Sequence, residues 1–258
     1  MGIGLAVAQT LAAQGDELIL VARGETALRI AVSTLPGTGH RFHAFDVSDE
    51  HAWSEVQLDE LNGLVCAAAV MTPIGPIGDY EPSEFMRTLE INVLGTLLAV
   101  HHCLDALRKG NGSVVTFGGG GATAALPRFD AYATSKAAVA RLTENLSSVL
   151  APLKVNCVAP GFVATRLHEA TLEAGPDGAG AEFYDRTRRA VEEGGFPAAE
   201  AGELVSLLLR DVPFTGKLIS AQWDDWRSPE FRERLANESD LGTIRRIDGT
   251  FYAALPRP

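Results

Sequence analysis

Basic residues are scarce in this chain: 22 lysines and arginines stand against 33 aspartates and glutamates, a formal net charge of −11 over 258 residues. Nucleic acids and anionic membranes are held by basic faces that displace counterions, so this balance argues against both as partners. Cysteine is scarce too. Cys66, Cys103 and Cys157 are odd in number, far apart and set in apolar sequence, which reads as buried thiols in a reducing compartment rather than a disulfide or zinc site. No apolar run reaches the roughly 18 residues that a membrane span needs. The start lacks the basic residues and cleavage site of a signal peptide, and Ala6 stands where a myristoylation motif requires Ser or Thr. A soluble, cytoplasmic protein without a metal centre is expected. With neither an internal repeat nor a Pro/Ser-rich linker, residues 1–258 read as a single domain.

Within these bounds the pattern is regular. Short β-branched or apolar runs at Glu17–Ala22, His40–Asp46, Asn62–Ala67, Ser113–Phe117, Lys154–Val158 and Lys217–Ala221 predict strands. Between them, apolar residues at three- and four-residue spacing predict helices over Leu5–Ala13, Leu89–Leu107, Ala133–Leu150 and Ala198–Leu209. Alternation of strand and helix implies a parallel sheet. Right-handed crossovers then place helices on both faces, giving an α/β, Rossmann-like, doubly wound fold whose ligands bind at the carboxyl ends of the strands. Residues 166–200, glycine-rich and charged, read as a substrate lid or a long surface insertion. Residues 222–258 form a polar tail of open role.

The chain opens on Gly2-Ile3-Gly4 and runs straight into a helix with no strand in front. A dinucleotide-binding turn needs a strand, glycines that let the backbone approach a pyrophosphate, and a helix N-terminus facing the phosphates. Taken alone, these glycines fit a tight turn as well as a cofactor loop. In Tyr132-Ala133-Thr134-Ser135-Lys136, the i, i+4 spacing puts phenol and ammonium on one helical face. A nearby Lys⁺ favours the phenolate, so Lys136 is expected to lower the Tyr132 pKa and make it a proton shuttle. Asn92 is a polar residue within an apolar helix, where its amide must find partners.

These motifs, with Cys66-Ala67-Ala68-Ala69 and Pro160-Gly161-Phe162-Val163-Ala164-Thr165, resemble in order and spacing the short-chain dehydrogenase/reductase family over residues 2 to about 221. The resemblance implies an NAD(P)-dependent oxidoreductase acting on a small carbonyl or secondary alcohol. It makes Tyr132 the proton donor or acceptor, Lys136 a holder of the nicotinamide ribose, and Asn92 a helix-kinking residue whose backbone holds a water in a proton relay. Cofactor contacts would come from Gly2, Ile3, Gly4, Arg23, Ala67, Val163 and Thr165, and from Asp46 and Val47 at the adenine. The strand end Val21-Ala22-Arg23 carries no carboxylate for a ribose 2′-hydroxyl, whereas Arg23 can pair with a 2′-phosphate, so NADP(H) is favoured over NAD(H). A homo-oligomer, dimer or tetramer, is implied, meeting through the helices at Leu89–Leu107 and Ala133–Leu150.

Two departures stand out. The family's catalytic serine lies about thirteen residues before the tyrosine, and here that place is Gly119, within Phe117-Gly118-Gly119-Gly120-Gly121-Ala122. Thr116 and Thr123 are out of register. The glycines would turn backbone N–H groups toward a substrate oxygen, admit a bulkier substrate, or mark a lost active site. The run is not expected to be a phosphate loop, since no helix follows Gly121 directly. The second departure is the missing first strand, which belongs between the strands ending at Ala22 and Ala67. A start assigned too late, some ten to twenty residues downstream of the true one, is the simplest explanation. A non-catalytic nucleotide-binding or scaffold protein, or a non-redox enzyme of the same family, remains the alternative.

Overall fold

The computed structural model describes residues 2–210 and 212–245. The elements run α1 (Ile3–Ala13), β1 (Ile19–Ala22), α2 (Glu25–Thr34), β2 (Arg41–Ala44), α3 (Glu50–Ser54), β3 (Gly63–Cys66), α4 (Pro82–Leu89), a π-helical turn (Glu90–Leu94), α5 (Gly95–Lys109) and β4 (Ser113–Phe117). A 3₁₀ turn (Gly120–Ala122), α6 (Asp130–Val149), β5 (Lys154–Ala159), α7 (Arg166–Ala179), α8 (Ala181–Glu192), α9 (Ala198–Leu209), β6 (Leu218–Ser220) and α10 (Pro229–Asn237) follow.

Alternation along β4 decides which helices cover which face. Val115 and Phe117 point to one side, joining Val7 and Leu11 of α1 and Ala201, Leu204, Val205 and Leu208 of α9. Val114 points to the other, against Leu98, Ala99, Cys103 and Leu107 of α5. Successive strand residues face opposite ways, so each face buries its own apolar set. All strand pairs are parallel, and the expected Rossmann-like, doubly wound arrangement is the one observed.

The sheet is interrupted. β1 pairs with β2, and β3, β4, β5 and β6 pair in that order, but nothing among the described residues joins β1 to β3. No described strand precedes α1. In the doubly wound pattern the strand leading into α1 lies between these two. Burial follows the interruption: every residue of β4 is buried, while every residue of β3 is only half-buried. Val21 and Cys66 still pack on one shared cluster.

Several expectations are corrected in detail. β1, β2, β3 and β6 are two or three residues shorter than expected. The helix expected over Leu89–Leu107 starts at Pro82 and is broken by the π-helical turn. The glycine run winds into a 3₁₀ turn over Gly120–Ala122, and the next helix begins only at Asp130. The 166–200 segment folds as α7, α8 and the start of α9.

The described part of the tail has a structural role. Lys217 is buried, and its ammonium donates to the carbonyls of Glu238, Ser239 and Leu241 at 2.9, 3.1 and 2.8 Å, past the C-terminus of α10. Carbonyl oxygens at a helix end favour a cation. Leu218 N–H donates to Gly242 O at 2.6 Å, which covers the open edge of β6. No helix among the described residues is long and apolar enough to cross a membrane.

Candidate active site

Phe117 ends β4, and α6 starts at Asp130 and crosses back over that strand end. This brings Tyr132, Lys136 and Gly119 together. A Cβ built at Gly119 would lie 3.2 Å from Tyr132 Oη, 3.9 Å from Tyr132 Cζ and 3.9 Å from Lys136 Cγ. Lys136 Nζ donates to Phe117 O at 2.9 Å and sits 5.6 Å from the centroid of the Tyr132 ring. Neither threonine substitutes for a hydroxyl at 119. Thr116 Oγ1 is buried against Thr143 Oγ1 at 2.6 Å, and Thr123 is exposed.

Electrostatics correct one expectation. Lys136 was expected to lower the tyrosine pKa, but burial dominates and pushes the Tyr132 phenol up to about 12. Burial likewise brings the Lys136 ammonium down to about 8. Both groups sit where water cannot solvate their charged forms, so both favour neutrality.

Asn92 lies in the π-helical turn, so the helix is distorted where a kinking residue was expected. Its amide is fully engaged: Oδ1 accepts from Val70 N at 2.8 Å, and Nδ2 donates to Val70 O at 2.9 Å and Ser135 Oγ at 2.8 Å. Ser135 Oγ donates to Tyr132 O at 2.7 Å. Asn92 thereby ties the loop after β3 to the first turns of α6. Ser135 was missed from sequence, although its position inside the Tyr/Lys motif was the available signal.

The residues expected at a dinucleotide lie along the carboxyl ends of the strands. Gly2, with φ +87°, is the N-cap of α1, and a Cβ on Gly4 would meet the Ala67 methyl at 3.4 Å. The first N–H groups of α1, beginning with Ile3, and the end of β3 therefore adjoin. Arg23 is exposed after β1. Burial alone would raise the Asp46 carboxyl, but hydrogen bonds from Ser48 and the charges of Arg87 and Arg23 hold it below its ordinary value. Arg87 Nη2 meets Asp46 Oδ2 at 2.6 Å, a partner 41 residues away with no sequence signal. Val47 lies against Gly95, where a Cβ would come within 2.7 Å of its Cγ2. Val163 is buried, and Thr165 Oγ1 caps α7 by accepting from Leu167 N at 3.3 Å.

α7 and α8 pack over the tyrosine: Leu167, Ala174, Phe183 and Tyr184 join Met71, Phe129 and Tyr132 in one apolar cluster. Arg128, in the loop before α6, donates to Gly178 O at 3.2 Å and to Asp177 O, fastening that cover. Two surface concavities of about 240 and 480 Å³ lie elsewhere, beside Trp226 and between α1 and α9. Their linings contain no proton-transfer constellation, so the enclosed Tyr132 region is the better candidate on chemistry.

Comparison with known proteins gives concordant findings. The family described as Enoyl-(Acyl carrier protein) reductase matches residues 1–211. "Dehydrogenase/reductase SDR family member 4" of Mus musculus is 32% identical over 183 residues, covering 67% of this chain and 66% of that protein. Cyclopentanol dehydrogenase of Comamonas sp. (strain NCIMB 9872) is 31% identical over 185 residues, covering 67% of this chain and 74% of that protein. Among solved structures, NAD⁺-bound xylitol dehydrogenase is similar with a TM-score of 0.71 at 25% identity, covering 84% of this chain and 92% of that one. The KRED1-Pglu enzyme has a TM-score of 0.78 at 23% identity, over 85% and 96% of the two chains. The matched region spans 66% of the mouse relative and 63% of the rat relative, just under two thirds of their length.

Proposed function

The chain belongs to the short-chain dehydrogenase/reductase superfamily, and on that premise we propose that it is an oxidoreductase moving a hydride between a nicotinamide dinucleotide and a carbonyl or secondary alcohol. The observation that carries this reading is the meeting of Tyr132 Oη with position 119, with Lys136 one helical turn away and bonded to Phe117 O. Without the superfamily framework, a Tyr/Lys pair on a helix would mean little.

The residues present fit a dinucleotide. Gly2 has a left-handed backbone, Gly4 leaves room beside Ala67, and the free N–H groups of α1 provide a site for a pyrophosphate. The nicotinamide supplies or accepts the hydride when bound. Tyr132, whose proton is retained throughout the neutral range, would donate that proton to the carbonyl oxygen in reduction and take it back from the alcohol in oxidation. Lys136 holds the ribose side and stays fixed by Phe117 O. Asn92 positions α6 through Ser135, and a relay water at its carbonyl would share that oxygen with Thr96 Oγ1, which donates to it at 2.9 Å. Thr165 and Val163 would border the nicotinamide, and α7 with α8 act as the lid. Arg23, exposed at a strand end whose residues 21–23 include no carboxylate, supports NADP(H) over NAD(H). Asp46 and Val47 would border the adenine, with Asp46 shared between ligand and Arg87. A homo-oligomer through α5 and α6 fits the exposed Leu94, Leu97 and Val149.

Gly119 favours one rival, a protein that binds cofactor but does not turn over. Fluorescence titration with NADPH and NADH, followed by a panel of ketones and alcohols, separates them. Binding accompanied by turnover of a ketone supports the oxidoreductase; tight binding without turnover on the whole panel supports the rival.

A further inference from the structure

Beneath the lid the structure leaves polar atoms that this chemistry does not use. His168, in the first turn of α7, is 8% exposed, and its Nδ1 is enclosed without a hydrogen-bond partner. Thr187 of α8 is completely buried, and its hydroxyl also lacks a partner. A buried polar group left unpaired loses its hydration without compensation. Such buried atoms without a partner are few among the described residues, His102 Nε2 and Asn156 Nδ2 being the others, and two of them fall on this one cover.

Their placement relates them to the tyrosine. The His168 ring stacks on Phe162 with centroids 4.0 Å apart and planes 19° apart, immediately after the Pro160-Gly161 turn. One turn along the same helix face, Thr171 Oγ1 reaches Met71 Sδ at 3.5 Å, and Met71 packs with Tyr132. Leu167, next to His168, belongs to that cluster as well. Thr187 follows Phe183 and Tyr184 by four and three residues, and both of these pack in it too. His168 thus packs on the 160–165 loop, while its helix neighbours Leu167 and Thr171 reach the residues around Tyr132. Burial brings its imidazole down to about 4, so near neutral pH it is uncharged. One nitrogen then donates and the other accepts. Apart from the phenols of Tyr132 and Tyr184, the cluster, which includes Met71, Ile74, Leu126 and Leu167, is apolar.

We propose that His168 is a specificity-determining residue whose Nδ1 hydrogen-bonds a second neutral oxygen of the substrate, which is therefore a ketone with an apolar body and a further hydroxyl or carbonyl group. The assignment of the reacting oxygen rests on the Tyr132 reading; the His168 contact does not require turnover. A singly oxygenated ketone leaves Nδ1 unpaired under the lid, whereas a doubly oxygenated one satisfies it. Sites that lose a buried hydrogen-bond partner discriminate steeply.

The test uses the full chain loaded with NADPH and matched ligands: cyclohexanone against its ring-hydroxylated analogue, and a decalone against the corresponding decalindione. The wild type is expected to prefer the doubly oxygenated member about tenfold or more in kcat/KM. His168→Phe keeps the stack on Phe162 but has no ring nitrogen, and should bring the preference close to one, mainly through KM. His168→Asn, whose amide reaches the place of Nδ1, should restore part of it. A preference unchanged in His168→Phe overturns the proposal. Imidazole nitrogen NMR on the loaded wild type supplies a readout without turnover. A His168 signal that moves with the doubly oxygenated ligands alone supports the contact even if no ketone is reduced, in which case the Tyr132 reading fails by itself. A signal that moves equally with both kinds, or with neither, overturns the contact.

Discussion

Serine at position 119 is the sharpest perturbation of the proposed chemistry. The backbone there is extended, with φ 163° and ψ 178°, so a side chain is accepted without conformational strain. The new Cβ would lie 3.2 Å from Tyr132 Oη, and the phenol must give by a few tenths of an ångström. That crowding costs about 1–3 kcal/mol, and the loss of glycine freedom in the unfolded chain returns about 0.4–1 kcal/mol. Stability should therefore fall by no more than about 3 kcal/mol. The hydroxyl arrives beside the phenol, where a carbonyl oxygen gains charge during reduction. A positioned donor at such an oxygen is worth about 10² to 10³ in rate. Allowing for imperfect placement, kcat should rise about tenfold or more, with KM little changed because the bond strengthens in the transition state. Gly119→Ala supplies the Cβ without the hydroxyl and should give no gain. Initial rates from nicotinamide absorbance, with urea unfolding of each variant, make the comparison. Equal rates in the serine and alanine variants would refute the reasoning, since the geometry at 119 would then have no bearing on proton transfer.

Cofactor choice and pH dependence give further checks. Arg23→Ala should weaken NADPH about tenfold, the worth of one charge-assisted contact, and leave NADH within about twofold; equal losses for both cofactors in fluorescence titration would remove Arg23 from the 2′-phosphate. The buried Lys136 sheds its proton at about 8, while the unfolded chain keeps it to about 10.4. Between those values the unfolded state binds more protons, so the cofactor-free protein should gain up to about 3 kcal/mol as pH rises from about 8 to about 10. Above about 10 the Tyr132 phenol, retained to about 12 in the folded state, reverses that slope. Urea midpoints across this range measure it, and Lys136→Met should flatten the rise; a rise of the same size in that variant would show that other groups cause it.

What sequence could deliver depended on how local the cause was. β4 appears at its expected bounds because Val114, Val115, Thr116 and Phe117 form a β-branched and aromatic run whose five-residue strand is buried and paired on both sides. Tyr132 and Lys136 were legible because i, i+4 spacing is a property of one helix. Their protonation was not, since burial under Met71, Phe183 and the strand end outweighs the neighbouring charge. The start of α4 carries a readable signal that was passed over: Pro82 in the first turn, and Glu81 and Glu84 forming a reciprocal cap. The π-helical turn was foreshadowed only by the family's kink at Asn92, because its bonds to Val70 and Ser135 span 22 and 43 residues. Arg87 on Asp46, Lys136 on Phe117 O and the anchoring of the tail by Lys217 are likewise products of tertiary contact. The interruption between β1 and β3 falls where the family pattern led us to expect a strand leading into α1.

The most direct test of the central claim is turnover by Tyr132→Phe, measured with NADPH affinity in the same preparation. Removing only the hydroxyl should lower kcat by about 10² to 10⁴, the usual contribution of a positioned proton donor, while cofactor affinity stays within about twofold. Turnover unchanged from the parent would contradict the assignment of Tyr132 as the group that moves the proton.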